Sequence, residues 1–223
     1  MVAIDGSAGS GKSTTAAAAA ARLGFRHLDS GAIYRAVTVA LLRSGRSGPA
    51  LERVTRDELA DLEIGVEWRE QGMEVQAGGR PVPERALRSE RVTAMVSQVA
   101  AVAAVRAHLL ELQRDAAKGP GLVAEGRDMG TVVFPGAEVK VFLDAHPRER
   151  ARRRLLQRGV HPEAAEIDSE AARLTRRDQR DASRSVAPFQ QAGDAMLLDT
   201  TDLDPEAQTD EIVRLVEAAR KHR

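Results

Sequence analysis

The stretch "GSAGSGKST", Gly6 to Thr14, lies between a short apolar run, "MVAID", and an alanine-rich tract, "STTAAAAAARLG", that ends on Gly24. Gly6, Gly11, Lys12 and Ser13 satisfy G-x-x-x-x-G-K-[ST], and the flanks predict the strand before and the helix after that this pattern requires. Glycines let the backbone turn tightly so that successive N–H groups point inward, while the following helix offers its positive end to phosphate. Lys12 then reaches the β and γ phosphates, and Ser13 ligates Mg²⁺. The loop as a whole, Gly6, Ser7, Ala8, Gly9, Ser10, Gly11, Lys12, Ser13 and Thr14, is read as the cradle of a nucleoside triphosphate. A plain glycine turn is the bland alternative, and the strand and helix on either side weigh against it.

Outward from the loop, "FRHLDSG" predicts a second short strand that leaves Asp29 and Ser30 at its C-terminal end, followed by a helix in "AIYRAVTVALLRSG". Residues 51–62 read as one polar helix. From Glu63 the period changes, and "EIGVEWREQGMEVQAGGRPV" predicts small antiparallel strands with turns near Gln71-Gly72 and Gly78-Gly79. Residues 91–117 are helical again with a break near Ala103. "GLVAEG", "VKVFLDA" and "AMLLDTT" predict buried strands of a parallel sheet, "PRERARRRLLQRG" an arginine-dense helix, and "DPEAQTDEIVRLVEAARKHR" a closing amphipathic helix. The charged stretch up to about Ser185 receives no element. The fold class is α/β, a three-layer fold with a central parallel sheet and an inserted small subdomain carrying antiparallel strands. Residues 1–62 are assigned to the core, 63–90 to the insert, and 91–223 to the core again.

A chain of 223 residues buries a sizeable core. Lysine plus arginine balance aspartate plus glutamate at 33 each, so a polyanion finds no excess positive charge, and nucleic acid is not expected as a partner. The chain has no cysteine, which fits a reducing cytoplasm, and its five histidines, His27, His108, His146, His161 and His222, show no ligand spacing. No apolar run approaches a membrane span, and the first strand leads straight into the glycine loop rather than to a cleavage site. A cytoplasmic monomer without membrane attachment is the expectation.

Several nucleotide-handling classes drop out. No Asn-Lys-x-Asp tetrad is present to read guanine, and "VFLDA" lacks the glutamate that a motor ATPase places after its aspartate. What remains is a set of arginines and carboxylates: Arg35, Ser97, Arg106, Arg127 and Asp128, then "RRDQRDASRS" with Arg177, Asp181 and Arg184 at spacings of four and three, one face of a helix. Guanidinium grips phosphate bidentately, and carboxylates accept from sugar hydroxyls or an exocyclic amine. Any single arginine here could equally lie on a solvated helix face.

The motifs "IDGSAGSGKST", "LDSGAIYRAVT", "SQVAAVAAVR", "EGRDMGTVVFP", "VKVFLDA" and "RRDQRDASRSVAP", in this order and spacing, resemble the bacterial cytidylate kinases of the nucleoside monophosphate kinase family, and the likeness runs essentially end to end. The resemblance implies a P-loop fold, a monophosphate-binding insert and an arginine-rich lid at about 152–169. It implies phosphoryl transfer from Mg²⁺-ATP to CMP, and to dCMP as well, giving ADP and CDP. Ser97, Arg106 and Asp128 match its cytosine readers; Arg35 and Arg127 its contacts to the acceptor phosphate; Arg177 and Asp181 its ribose contacts; Arg184 a group beside the phosphates; Ser30 a further acceptor-site residue. Lys12, Arg127 and Arg184 are the implied catalytic groups. Ser7 stands where family members often have proline, and the lid arginines Arg152, Arg153, Arg154 and Arg158 are left without individual roles. The alternatives are a kinase of the same architecture acting on UMP or AMP, and a regulator that binds nucleotide without turnover.

Overall fold

The computed structural model describes residues 1–221; His222 and Arg223, the end of the closing helix expected from the sequence, lie outside the described residues. In chain order the elements are β1 (Val2–Gly6), α1 (Lys12–Leu23), β2 (Arg26–Asp29), α2 (Ser30–Arg43), a 3₁₀ turn (Gly48–Arg53), α3 (Arg56–Ala60), β3 (Gly65–Arg69), β4 (Gly72–Ala77), β5 (Arg80–Pro81), α4 (Glu84–Leu87), α5 (Glu90–Val99) and α6 (Ala103–Ala116). There follow β6 (Leu122–Gly126), a π-helical turn (Met129–Val133), β7 (Val139–Asp144), α7 (Pro147–Gln157), α8 (Ala164–Ala182), β8 (Met196–Asp199) and α9 (Pro205–Lys221). These form two compact units, one of Met1–His27 with the chain from Gly121 onward, the other Leu28–Pro120.

The first unit is built on the five-stranded parallel sheet, order β2-β6-β1-β7-β8, as expected. β1 is hydrogen-bonded on both sides, Ile4 lying opposite Glu125 of β6 and Val141 of β7, which explains why all five of its residues are buried. On the sheet packs α1, whose buried Ala16, Ala19 and Ala20 meet Val2, Ile4, Val123, Val141 and Leu143, with Ile212 and Val216 of α9 closing the cluster. Alanine serves here because a helix without bulky side chains approaches the sheet closely while losing no rotamer entropy. A second cluster joins Ala8 of the glycine loop to Ala151, Ala171 and Leu174 of α7 and α8.

The second unit holds the antiparallel sheet β3-β4-β5. Arg69 lies opposite Gly72, and Ala77 opposite Arg80, so both turns are the tight ones expected. Gly78 and Gly79 have φ of 61° and 65°, the doubly positive pair that a two-residue hairpin turn demands. The insert expected at 63–90 forms part of this unit, whose helices α2, α5 and α6 pack over the sheet and one another. Ile33, Val37 and Leu41 of α2 are each at most 2% exposed, and burying each stabilises the unit by about 1.5–3 kcal/mol. Trp68 of β3 donates its indole N–H to Ala116 O at 3.1 Å, tying the sheet to the end of α6.

Two sequence expectations need correction. Residues 51–62 are not one helix: Val54 is extended, with φ −65° and ψ 124°, and α3 restarts afterwards because Thr55 and Glu58 form a reciprocal cap, Glu58 N donating to Thr55 Oγ1 at 3.2 Å and Thr55 N to Glu58 Oε2 at 2.9 Å. The charged stretch before Ser185 is mostly helix, α8. Its buried positions, Glu170, Ala171, Leu174 and Asp181, include two acids, which hides the apolar period. The break near Ala103 is real, and α5 and α6 are bent by 97° across it. No single helix among the described residues is long and apolar enough to cross a membrane.

Candidate active site

The glycine loop joins β1 to α1 and is held from below by β7. Ser7 N donates to Leu143 O at 3.2 Å, and Ser7 Oγ donates to Asp144 Oδ1 at 2.5 Å, a bond that a proline at this position could not make. Gly6 has φ 153°, and a Cβ there would stand 2.0 Å from Leu143 O, so only glycine permits this approach. At the mouth of α1 no side chain caps the first-turn amides, which leaves the helix end to an anion. Ser10 Oγ is buried and has no hydrogen-bond partner. Lys12 curls back so that Nζ donates to Ser7 O at 2.7 Å. Burial first, and then the neighbouring Arg127 guanidinium, pull its ammonium down to a pKa of about 8, with Glu125 opposing them.

Three carboxylates that sequence reasoning missed organise this unit. Glu125, at the end of β6, accepts from Ser13 Oγ at 2.5 Å. Asp5, in β1, accepts from Met129 N and Gly130 N, both at 2.7 Å. Asp178 of α8 accepts from Ala8 N at 3.2 Å, from Arg127 at 2.7 Å and from Arg150 at 2.5 Å. Arg150 is itself 5% exposed and spans from α7 to the loop, donating to Ala145 O at 3.0 Å and Ala8 O at 3.1 Å. Burial works to raise the Asp178 carboxyl, but Arg127 and Arg150 outweigh it and hold the group below the ordinary carboxylate range.

Around this hub the structure collects the expected residues of the first unit. Arg127 donates to Gly6 O at 3.1 Å, pairs with Asp181 at 3.0 Å, and lies 4.5 Å from the centre of the Phe189 ring, which stacks in turn on Phe142. Asp181, 1% exposed, also pairs with Arg184, and Arg177 Nε lies 4.0 Å from it. Asp128 is 2% exposed at the entrance to the π-helical turn, its main-chain oxygen accepting from Val132 N at 2.9 Å and Val133 N at 3.1 Å.

The second unit brings its own set together around α2. Ser30 is the buried first residue of that helix, and Asp29 before it caps Ala32 N at 2.9 Å. Arg35 is 8% exposed and donates to Leu87 O at 2.9 Å and Thr93 Oγ1 at 3.0 Å. Burial, and then the charge of Arg88, lower its pKa from the usual guanidinium value. Ser97 is one turn past Thr93 on α5, and Arg106 donates to Ala100 O at 3.1 Å with its guanidinium 5.5 Å from the Tyr34 ring centre.

The cytidylate kinase profile matches residues 2–218. The chain is 43% identical over 223 residues to a cytidylate kinase of Salinibacter ruber, covering 98% of this chain and 97% of the relative. It is 44% identical over 218 residues to one from Pseudomonas aeruginosa, covering 96% and 93%. A solved structure of an uncharacterized protein from Eubacterium ventriosum shares the fold, with a TM-score of 0.53, 14% identity and 97% coverage of both chains. The chain belongs to the cytidylate kinase family.

The arginines at 152–158 divide by partner. Arg152 and Arg153 both pair with Glu149 at 2.8 Å, and Arg153 also donates to Thr200 O at 2.6 Å. Arg154 lies 3.2 Å and Arg158 3.8 Å from Glu170. A cavity of about 730 Å³ opens beside the phosphate loop, lined by Gly11, Thr14, Arg152, Arg153, Asp202 and Gln208 among others.

Proposed function

We propose that this cytidylate kinase family member transfers the γ-phosphoryl group of ATP to an oxygen of the CMP phosphate, releasing ADP and CDP, and that it accepts dCMP as well. The observation that carries the reading is the phosphate loop with Lys12, Arg127 and Arg150 converging on it, in a chain that matches the family nearly end to end. The acceptor phosphate is already a nucleophile, so the protein's contribution is alignment and charge neutralisation. Loop amides and the α1 terminus hold the triphosphate, Lys12 swings from Ser7 O to its β and γ oxygens, and Arg127 and Arg184 bridge to the transferring group. Arg35, with Ser30, holds the acceptor phosphate; Arg177 and Asp181 take the ribose; Ser97, Arg106 and Asp128 read the base.

The donor set fits Mg²⁺: Ser13 offers a hydroxyl and Glu125 a carboxylate 2.5 Å away, hard oxygens of the kind this ion takes alongside nucleotide phosphates and water. Bound there, the ion would screen the β and γ oxygens. Residues 152–169 act as the lid, excluding water so that ATP is not hydrolysed unproductively. The balanced charge supports free nucleotides rather than nucleic acid as substrates, and the cysteine-free composition fits a reducing cytoplasm.

A coupled ADP-release assay with CMP, dCMP, UMP, AMP and GMP tests this. CMP and dCMP should drive turnover far above the others. Faster turnover with UMP or AMP would transfer the assignment to that acceptor, and ADP release independent of any monophosphate would end it.

A further inference from the structure

Asp5 is a carboxylate in the central strand of the sheet, 4% exposed, where β1 otherwise presents Val2, Ala3 and Ile4 to the core. A buried charge in such a place is costly unless it is hydrogen-bonded. Both oxygens are satisfied by main chain: Oδ1 accepts from Met129 N and Oδ2 from Gly130 N, each at 2.7 Å. Those amides belong to the first turn of the π-helical segment, which closes with Phe134 N donating to Met129 O at 2.7 Å. An i-to-i+5 turn leaves its leading amides without partners inside the turn, so Asp5 does from across the sheet what a capping residue does at a helix start. Asp128 stands immediately before the pinned pair and Arg127 before that.

We infer that Asp5 is the positioning residue that fixes Asp128 for base selection, by clamping the two amides that follow it. The inference rests on the proposed role of Asp128 as a base reader and deepens it. The alternative is that Asp5 only stabilises the fold. A backbone clamp on one side of Asp128 restricts the φ and ψ of the segment, so loosening it should blur the choice between the amino group of cytosine and the carbonyl of uracil while leaving the ATP loop undisturbed.

The clamp is also adjustable by pH. Burial is the main cause that raises the Asp5 carboxyl to a pKa of about 6, the two amides lower it, Asp128 raises it and Lys12 lowers it. Lys140 of β7 runs its stem past Gly130, its Cδ 3.3 Å from where a Cβ would stand, and its ammonium is engaged by Asp194 at 2.8 Å. On protonation one oxygen becomes a donor facing an N–H, and the clamp loses a bond.

The test uses the full chain and compares kcat/KM for CMP and UMP in wild type, Asp5→Asn and Asp128→Asn from pH 5 to 8. Taking the ratio cancels the ionisation of the nucleotide phosphate, which both substrates share. Asp5→Asn should lower the CMP to UMP ratio about tenfold at pH 7.5 through KM for CMP, with KM for ATP within about twofold of wild type. In wild type the ratio should fall on acidification through about pH 6, and the ¹⁵N shifts of Met129 and Gly130 in ligand-free protein should titrate with it. An unchanged ratio in Asp5→Asn beside a shifted one in Asp128→Asn overturns the inference and leaves the reading of Asp128 standing. No shift in Asp128→Asn removes both. Should Asp5→Asn fail to fold, Asp5→Glu, which keeps the charge but moves the two oxygens that accept from Met129 N and Gly130 N, takes its place, an unchanged CMP to UMP ratio overturning the inference.

Discussion

Replacing Asp178 by alanine should destabilise the first unit by about 3 kcal/mol at pH 7. Breaking a buried ion pair by deleting one partner costs roughly 3–5 kcal/mol, because the remaining charge is left uncompensated. Here the side chains of Asp178, Arg127 and Arg150 are 14%, 15% and 7% exposed, so the low end of that range applies. Neither arginine is wholly abandoned either: Arg127 keeps Asp181 at 3.0 Å, and Arg150 keeps the carbonyls of Ala145 and Ala8. Urea unfolding followed by far-UV circular dichroism measures the loss. With a slope of about 3 kcal/mol per molar, suited to a chain of this size, the midpoint should fall by about 1 M. The pH dependence has a definite sign. The two arginines hold the carboxyl below its unfolded value of 3.8, so its stabilisation is present above that value and disappears as pH falls through the lowered folded one. Wild type and variant should therefore converge in acid once the pH has passed below the lowered folded value. A loss under about 1 kcal/mol at pH 7, or one that persists undiminished in acid, refutes the hub.

Lys12→Ala should abolish phosphoryl transfer while CMP binding by calorimetry stays within a few-fold of wild type, and turnover near wild type would remove the ammonium from the mechanism. Since burial and Arg127 set the Lys12 pKa at about 8 in the free protein, ATP binding at pH 8.5 should take up at most about three-quarters of a proton, read as a dependence of binding enthalpy on buffer ionisation heat; no uptake means that the phosphates do not engage it. Arg184→Ala should lower kcat more than it raises KM for CMP, because a clamp on the transferring group tightens in the transition state, and an effect confined to KM would make it a ground-state contact. Gly6→Ala should fail to accumulate as folded protein, since its Cβ would stand 2.0 Å from Leu143 O; a soluble variant with wild-type melting would show that the loop can shift.

What the sequence disclosed follows the range of the interactions involved. The phosphate loop, the strand and helix beside it, the Gly78-Gly79 turn and the break before Ala103 are local, each written in a few adjacent residues. The hub is not. Asp178 reaches Ala8 across 170 positions and Arg150 across 28, and in "RRDQRD" nothing distinguishes it from the solvated charges of a helix face. Asp5 hides in the opposite way, as one polar letter in an apolar strand whose partners, Met129 and Gly130, contribute only backbone. Glu125 is likewise one polar letter in the neighbouring strand, although its partner is a side chain, the Ser13 hydroxyl. Patterning picked out Arg127, Asp181 and Arg184 as candidates and motif resemblance gave them roles, and the structure adds why they occur together: they neutralise one another around a buried acid. The helix expected at 51–62 failed because Thr55 serves as a new start, a cap that outcompetes continuation once Val54 turns extended.

The indole of Trp68, bonded to Ala116 O within the second unit, has an optical consequence. It is the single tryptophan of the chain, and the single tyrosine, Tyr34, lies in the same unit beneath Arg106. The sheet unit that carries the phosphate loop holds neither chromophore. Emission excited at 295 nm therefore reports on Leu28–Pro120 alone, whereas far-UV ellipticity sums both units. Overlaying the two denaturation curves turns an accident of composition into a measurement of cooperativity: superimposed transitions identify a single melting entity, and separated midpoints resolve the order in which the Leu28–Pro120 unit and the unit carrying the glycine loop come apart.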